Sequence, residues 1–157
     1  MAVLQTTMFG ALEYQPEQLI SLAAPLPGLP DTRWLLPVSQ KVMAPFVFFQ
    51  SLEEPSLCLL ATPVRVVRED YLIQLSGEDR ALLRLSTDGR ESAGRESSEL
   101  GAFAFVTVSE DEGATANLLA PLVIHLPANL AMQAIQPLGE EFLRYPLDIP
   151  ISGVEGC

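Results

Sequence analysis

A chain of 157 residues fits one compact domain, whose usual size is roughly 100 to 200 residues, and its 48% apolar and 18% charged content is enough to pack a core, which excludes wholesale disorder. Twenty acids against nine bases give a net charge of −11, which repels phosphate backbones and argues against direct nucleic-acid binding. Nine of the acids fall in residues 96–157, where Arg144 is the only base, so an electrostatic docking face is expected in the C-terminal half and a basic protein is its natural partner.

Thirteen prolines and ten glycines are scattered along the chain and divide it into pieces too short for most helices. Residues 2–8 alternate weakly and end at Gly10; residues 10–14 form a second short run stopped by Pro16. Pro25, Pro27, Gly28 and Pro30 mark an irregular segment, and residues 33–36 read as a strand carrying the only tryptophan, Trp34. Residues 46–49 and 57–61 are apolar, and Glu53, Glu54 and Pro55 break them into two strands joined by an exposed turn. Tyr71, Ile73 and Leu75 alternate with Leu72, Gln74 and Ser76 and predict another strand. Ser76 with Asp79 three residues on reads as a helix start, with Ala81, Leu82 and Leu85 as its buried stripe.

Residues 87–99 are rich in Ser, Gly and charge and read as a long mobile surface loop. Residues 101–108, the acidic turn 110–113 and the return 115–119 predict a hairpin. Residues 122–126 and 131–135 add two more strands. The expected fold is all-β: a small antiparallel barrel or roll of about eight to ten short strands with one or two short helices, because closure disposes of exposed strand edges.

Cys58, in an apolar run, and Cys157 provide no disulfide framework and fit a reducing cytoplasm. Residues 1–8 lack the basic start and apolar core of a leader, and no run reaches the roughly 18 uncharged apolar residues of a membrane span. Neither secretion nor membrane insertion is therefore expected.

Catalytic chemistry finds little support. The only histidine, His125, follows Val123 and Ile124 with no Asp or Cys at a triad-like spacing, and Glu110, Asp111 and Glu112 lack the ligand alternation of a calcium loop. Residues 26–30 have neither the glycine spacing nor the lysine of a phosphate loop. The neighbouring acids at 53–54, 69–70 and 140–141 point to opposite faces if they lie in strands, so none forms an acid and base couple.

Two stretches stand out. Residues 45–55 place a polar pair, Gln50 and Ser51, and two acids directly after a strongly apolar strand. Residues 115–125 enclose one amide, Asn117, in an apolar segment; burial is costly for an amide unless it is paired, so Asn117 is expected to lock a neighbouring turn.

Several short motifs occur in a telling order: Phe9-Gly10 with Glu13-Tyr14, Leu26-Pro27-Gly28, Gln50-Ser51-Leu52-Glu53-Glu54-Pro55, Pro63, Asn117-Leu118-Leu119-Ala120-Pro121, Gln133, and Arg144-Tyr145-Pro146-Leu147. In this order and spacing the chain resembles the flagellar assembly factor FliW family from about residue 8 to residue 147. It departs from the family pattern at Pro25 and Leu29, where Gly and Phe are usual, at His125 and Ala131, and in an apparent insertion at 88–97.

The resemblance implies one β domain over residues 1–147 with 148–157 as a tail, in a bacterial cytoplasmic protein that is not an enzyme and needs no cofactor or metal. It implies binding to the carbon-storage regulator CsrA, a small basic RNA-binding dimer, which relieves repression of flagellin translation, and competing binding to flagellin. The acidic charge suits such a partner. On this reading Gln50 and Asn117 make backbone hydrogen bonds around the partner site, with Ser51 in the same turn. Leu52 and Leu118 supply apolar contact, and Glu53, Glu54, Glu110 and Glu112 form a charged rim. The alternatives are a small-molecule-binding barrel lined by Trp34, Phe46, Phe48 and Phe103, and a flagellin chaperone with no regulator partner.

Overall fold

The computed structural model describes residues 2–85 and 99–147. The loop expected at 87–99, with its insertion at 88–97, falls almost wholly outside the described residues, as do the tail at 148–157 and Cys157.

In chain order the strands are β1 (Ala2–Thr6), β2 (Gly10–Tyr14), β3 (Ile20–Leu22), β4 (Trp34–Ser39), β5 (Val47–Ser51) and β6 (Cys58–Pro63). Two short helices follow, α1 (Val64–Val67) and α2 (Gly77–Leu82), and then β7 (Leu100–Ser109), β8 (Gly113–Ala116), β9 (Leu122–His125), β10 (Leu130–Gln133) and β11 (Tyr145–Pro146). Seven strands close into a barrel in the order β9, β7, β6, β5, β4, β3, β10 and back to β9. Every contact in the ring is antiparallel except β3 with β10, which is parallel. The expected barrel is thus present, with eleven strands among the described residues. Closure leaves few free edges.

The central strands are apolar on both faces because both are covered. Phe49 points inward with Leu35, Ala61 and Leu122. Its neighbour Phe48 points outward with Phe46, Leu60 and Val106, and Phe9 packs against this outer cluster. Phe9 meets Phe48 edge to face at 5.4 Å between centroids. The β1–β2 hairpin that delivers Phe9 turns at Gly10, whose φ of 69° suits glycine, and it is fastened by the Thr7 amide donating to the Pro55 carbonyl at 3.0 Å. A third cluster, with Val64, Tyr71, Leu83, Leu118 and Val123, lies outside β7 and β9.

Residues 71–75 do not form the expected strand. Tyr71 and Ile73 are buried and Leu72 and Gln74 exposed, so the alternation is present, but among the described residues no strand pairs with it. The Gln136 side chain takes the place of that strand: its Oε1 accepts from the Gln74 amide at 2.7 Å and its Nε2 donates to the Gln74 carbonyl at 2.9 Å.

Helix α2 starts where expected, with Ser76 Oγ accepting from the Asp79 amide at 3.0 Å. Its expected stripe is displaced. Ala81 is exposed and Leu82 is 44% exposed, while Leu83, just past the helix, is buried with Leu85. The chain leaves the helix through Arg84 in a left-handed conformation, φ 58°, which reorients the residues that follow. His125 is structural: its Nδ1 lies 2.7 Å from the Leu83 carbonyl and so must carry the proton.

The Tyr71 hydroxyl donates to the Leu118 carbonyl, and burial pushes its pKa up to about 12. The folded state therefore retains a proton that the unfolded chain loses near pH 10; this contribution to stability is complete below pH 10 and is lost as pH rises toward 12. Tyr71→Phe is expected to cost about 1–2 kcal/mol by leaving a buried carbonyl unpaired. Urea unfolding at neutral pH and an ultraviolet titration, in which the late step near pH 12 disappears, check this.

Candidate functional site

The turn after β5 is built from within. Gln50 is fully buried, and its Nε2 donates to the carbonyls of Ser51 at 3.1 Å, Glu54 at 3.4 Å and Pro55 at 3.2 Å. Ser51 Oγ accepts from the Glu54 amide at 3.0 Å. Glu53 Oε1 accepts from the amides of Arg33 at 3.1 Å and Trp34 at 3.3 Å, which ties the turn to the start of β4. Of this stretch Glu53 and Glu54 are exposed and Leu52 half-buried.

The β7–β8 turn presents Glu110, Asp111 and Glu112 to solvent. Ser109 Oγ accepts from the Glu112 amide at 3.0 Å, and Arg144 Nη1 reaches Glu112 Oε1 at 3.2 Å. After β8 the chain turns at Asn117, as its expected role as a turn lock requires. Its amide donates to the Phe105 carbonyl at 2.9 Å, and its Oδ1 accepts from the amides of Leu119 at 3.1 Å and Ala120 at 3.0 Å. Gln133 Nε2 donates to the Ala120 carbonyl at 2.9 Å. Leu118 is fully buried in the cluster outside β7 and β9.

Because β6 and β7 are antiparallel, the start of β6 and the end of β7 lie at the same end of the barrel, and the two turns come with them. Their ladder runs only from Ala61↔Phe105 to Pro63↔Phe103. At this end lies a groove of about 630 Å³, walled by Leu59 on β6, Phe105 on β7 and Leu29, with Ile135 and Leu143 at its edge. Ile135 is 78% and Leu143 44% exposed. Several residues of the motifs noted in the sequence meet here: Leu26, Pro27, Asn117, Ala120 and Gln133 all line the groove.

The sequence located the two flanking turns but missed the groove. Phe105 and Leu59 read as ordinary strand residues, and Ile135 as the end of a strand that stops at Gln133. The signal available was Ile135 itself, an apolar residue two positions before Pro137, beyond the end of β10.

The groove is lined mostly by apolar residues, with Thr107, Asn117 and Gln133 among them. Asn117 Oδ1 and Gln133 Nε2 are spent on the protein's own backbone. The four aromatics expected to line a ligand pocket are dispersed: Phe46 and Phe48 lie in the outer cluster, Phe103 meets Phe49 at 5.4 Å, and Trp34 is 40% exposed. Among the described residues no group of three or more His, Cys, Asp or Glu could hold a metal ion, and no helix is long and apolar enough to cross a membrane.

A family model described as FliW protein matches residues 3–147. The chain belongs to the FliW family. Curated relatives include the flagellar assembly factor FliW of Syntrophotalea carbinolica, 29% identical over 90% of this chain and 94% of that one, and that of Carboxydothermus hydrogenoformans, 31% identical over 94% and 88%. A solved structure described as the crystal structure of the flagellar assembly factor FliW shares the fold, with a TM-score of 0.76, 20% identity, and coverage of 92% of this chain and 96% of that one. The FliW match spans nearly all the described residues, so the barrel, both turns and the groove lie within it.

Asn117→Ala should cost about 1–2 kcal/mol, since two amides lose their acceptor, whereas Asn117→Asp keeps an acceptor oxygen and should stay within about 0.5 kcal/mol of wild type. Denaturant unfolding of the three proteins distinguishes these outcomes.

Proposed function

We propose that this protein acts in flagellum assembly as a cytoplasmic, non-catalytic binding factor. It binds the translational regulator CsrA, relieving repression of flagellin synthesis, and binds flagellin in competition. The observation that carries the reading is the apolar groove flanked by two acidic turns at one end of the barrel, lined in part by the same motifs on which the family resemblance rests. The names of the curated relatives, flagellar assembly factors, support the assembly role.

The residues divide by position. Leu52, Glu53, Glu54, Glu110 and Glu112 reach the surface and meet the partner. Gln50, Ser51, Asn117 and Leu118 act from beneath by fixing the turns that carry them. No step needs a cofactor. Glu110, Asp111, Glu112, Glu140 and Glu141 face a single base, Arg144, in residues 100–147, so the field at this end attracts a basic dimer and speeds its encounter.

Glu53 also braces β4, so the clean test of the rim is the double variant Glu54→Lys, Glu110→Lys. Association with purified CsrA, followed by stopped-flow at low salt, should slow about tenfold and lose much of its salt dependence, with dissociation little changed. Unaltered association would remove these acids from the interface. Addition of flagellin should displace CsrA from the wild-type protein.

A further inference from the structure

A second hollow, also of about 630 Å³, opens beside the groove. Its walls include Leu75, Asp79, Met132 and Pro137, and it shares Gln133 and Ile135 with the groove. The two hollows therefore meet just past the end of β10. There the Ala134 amide donates to the Pro121 carbonyl at 3.0 Å and the Gln136 amide to the Leu119 carbonyl at 2.7 Å. Anchoring of both its neighbours holds Ile135 outward, in the wall of each hollow, and leaves an aliphatic side chain in water that the fold itself does not cover.

The polar groups of the second hollow are largely committed to the protein's own backbone. Gln136 bonds both backbone groups of Gln74 and also donates to the Ala134 carbonyl at 3.0 Å, and Ser76 Oγ caps α2. Asp79 enters that cap through its amide, not its carboxylate. The hollow thus offers apolar contact beside Ile135 and the charge of Asp79. On the groove side, Glu110 follows three residues after Thr107, which lines the groove.

We propose that the groove and the second hollow form one docking channel across Ile135, and that the channel receives a single amphipathic segment of the basic partner. The proposal rests on the binding function above and extends the contact surface to the start of α2. Apolar side chains of the segment pack on either side of Ile135 and remove it from water, while a Lys or Arg of the segment pairs with Asp79 and another meets Glu110. Acids at both hollows select a basic segment. A small ligand is poorly served, since the amides of Asn117, Gln133 and Gln136 are already bonded within the protein. A second copy of this chain is a poor occupant, since both would carry a net charge of −11.

Equilibrium titration of purified CsrA into the full-length protein and its variants tests this. Ile135→Lys sets a like charge against the basic segment at the centre of the channel and should weaken binding about tenfold, with the unfolding midpoint unchanged because the position is exposed. Asp79→Lys should weaken binding about fivefold, whereas the same charge reversal at Glu13, which is exposed on β2 and lines neither hollow, should change it less than twofold. Equal effects at Asp79 and Glu13 would mean that net charge alone matters and would overturn the channel. Wild-type affinity in both Ile135→Lys and Asp79→Lys overturns the channel and leaves the binding function standing; failure of CsrA to bind the unaltered protein overturns both. Self-association of the protein without CsrA, abolished by Ile135→Lys, would assign the channel to a second copy and also overturn the proposal.

Discussion

Strand β7 has ten residues, and none of its neighbours matches it: β6 has six, and β8 and β9 four each. Its first half is sandwiched between β9 and β6 and closes the barrel. Its last four residues pair with β8 and carry the acidic turn beyond the rungs of the ring. The placement of Glu110 and Asp111 beyond the ring follows from this mismatch.

Buried and half-buried side-chain amides do the work that regular ladders do elsewhere. Gln136 stands in for a strand beside Gln74, Asn117 takes up two amides where the return from β8 to β9 bulges, and Gln50 gathers three carbonyls under the turn it precedes. Each is an amide set in apolar surroundings, and each is tolerable because its donors or acceptors meet backbone groups that would otherwise be orphaned. The Gln50 Oε1, buried without a partner, marks the cost of the arrangement: its amide is oriented for the three carbonyls at the expense of its own acceptor. These residues shape the surface from below, whereas the acids form it.

What the sequence made legible was local. The break at Glu53, Glu54 and Pro55, the acidic hairpin turn and the Ser76 cap depend on residues within a few positions of one another, and each lies where those residues placed it. The strands β3 and β11 were missed because three and two residues carry no periodicity. Residues 71–75 were misread because alternation reports burial on one side, not the presence of a strand to pair with. The groove was invisible for a deeper reason: Leu29, Leu59, Phe105, Ile135 and Leu143 come from distant parts of the chain, and only the closed fold brings them to one place.

Charge and contact have different tasks at this site. The acids act at a distance and through salt-screened fields, so they govern how often a basic partner arrives. The apolar groove acts only at contact, through the shape and burial of its walls. If CsrA and flagellin both dock there, their competition needs no conformational switch in the barrel: occupancy of the groove by one excludes the other, and the balance between them is set by concentration and affinity alone.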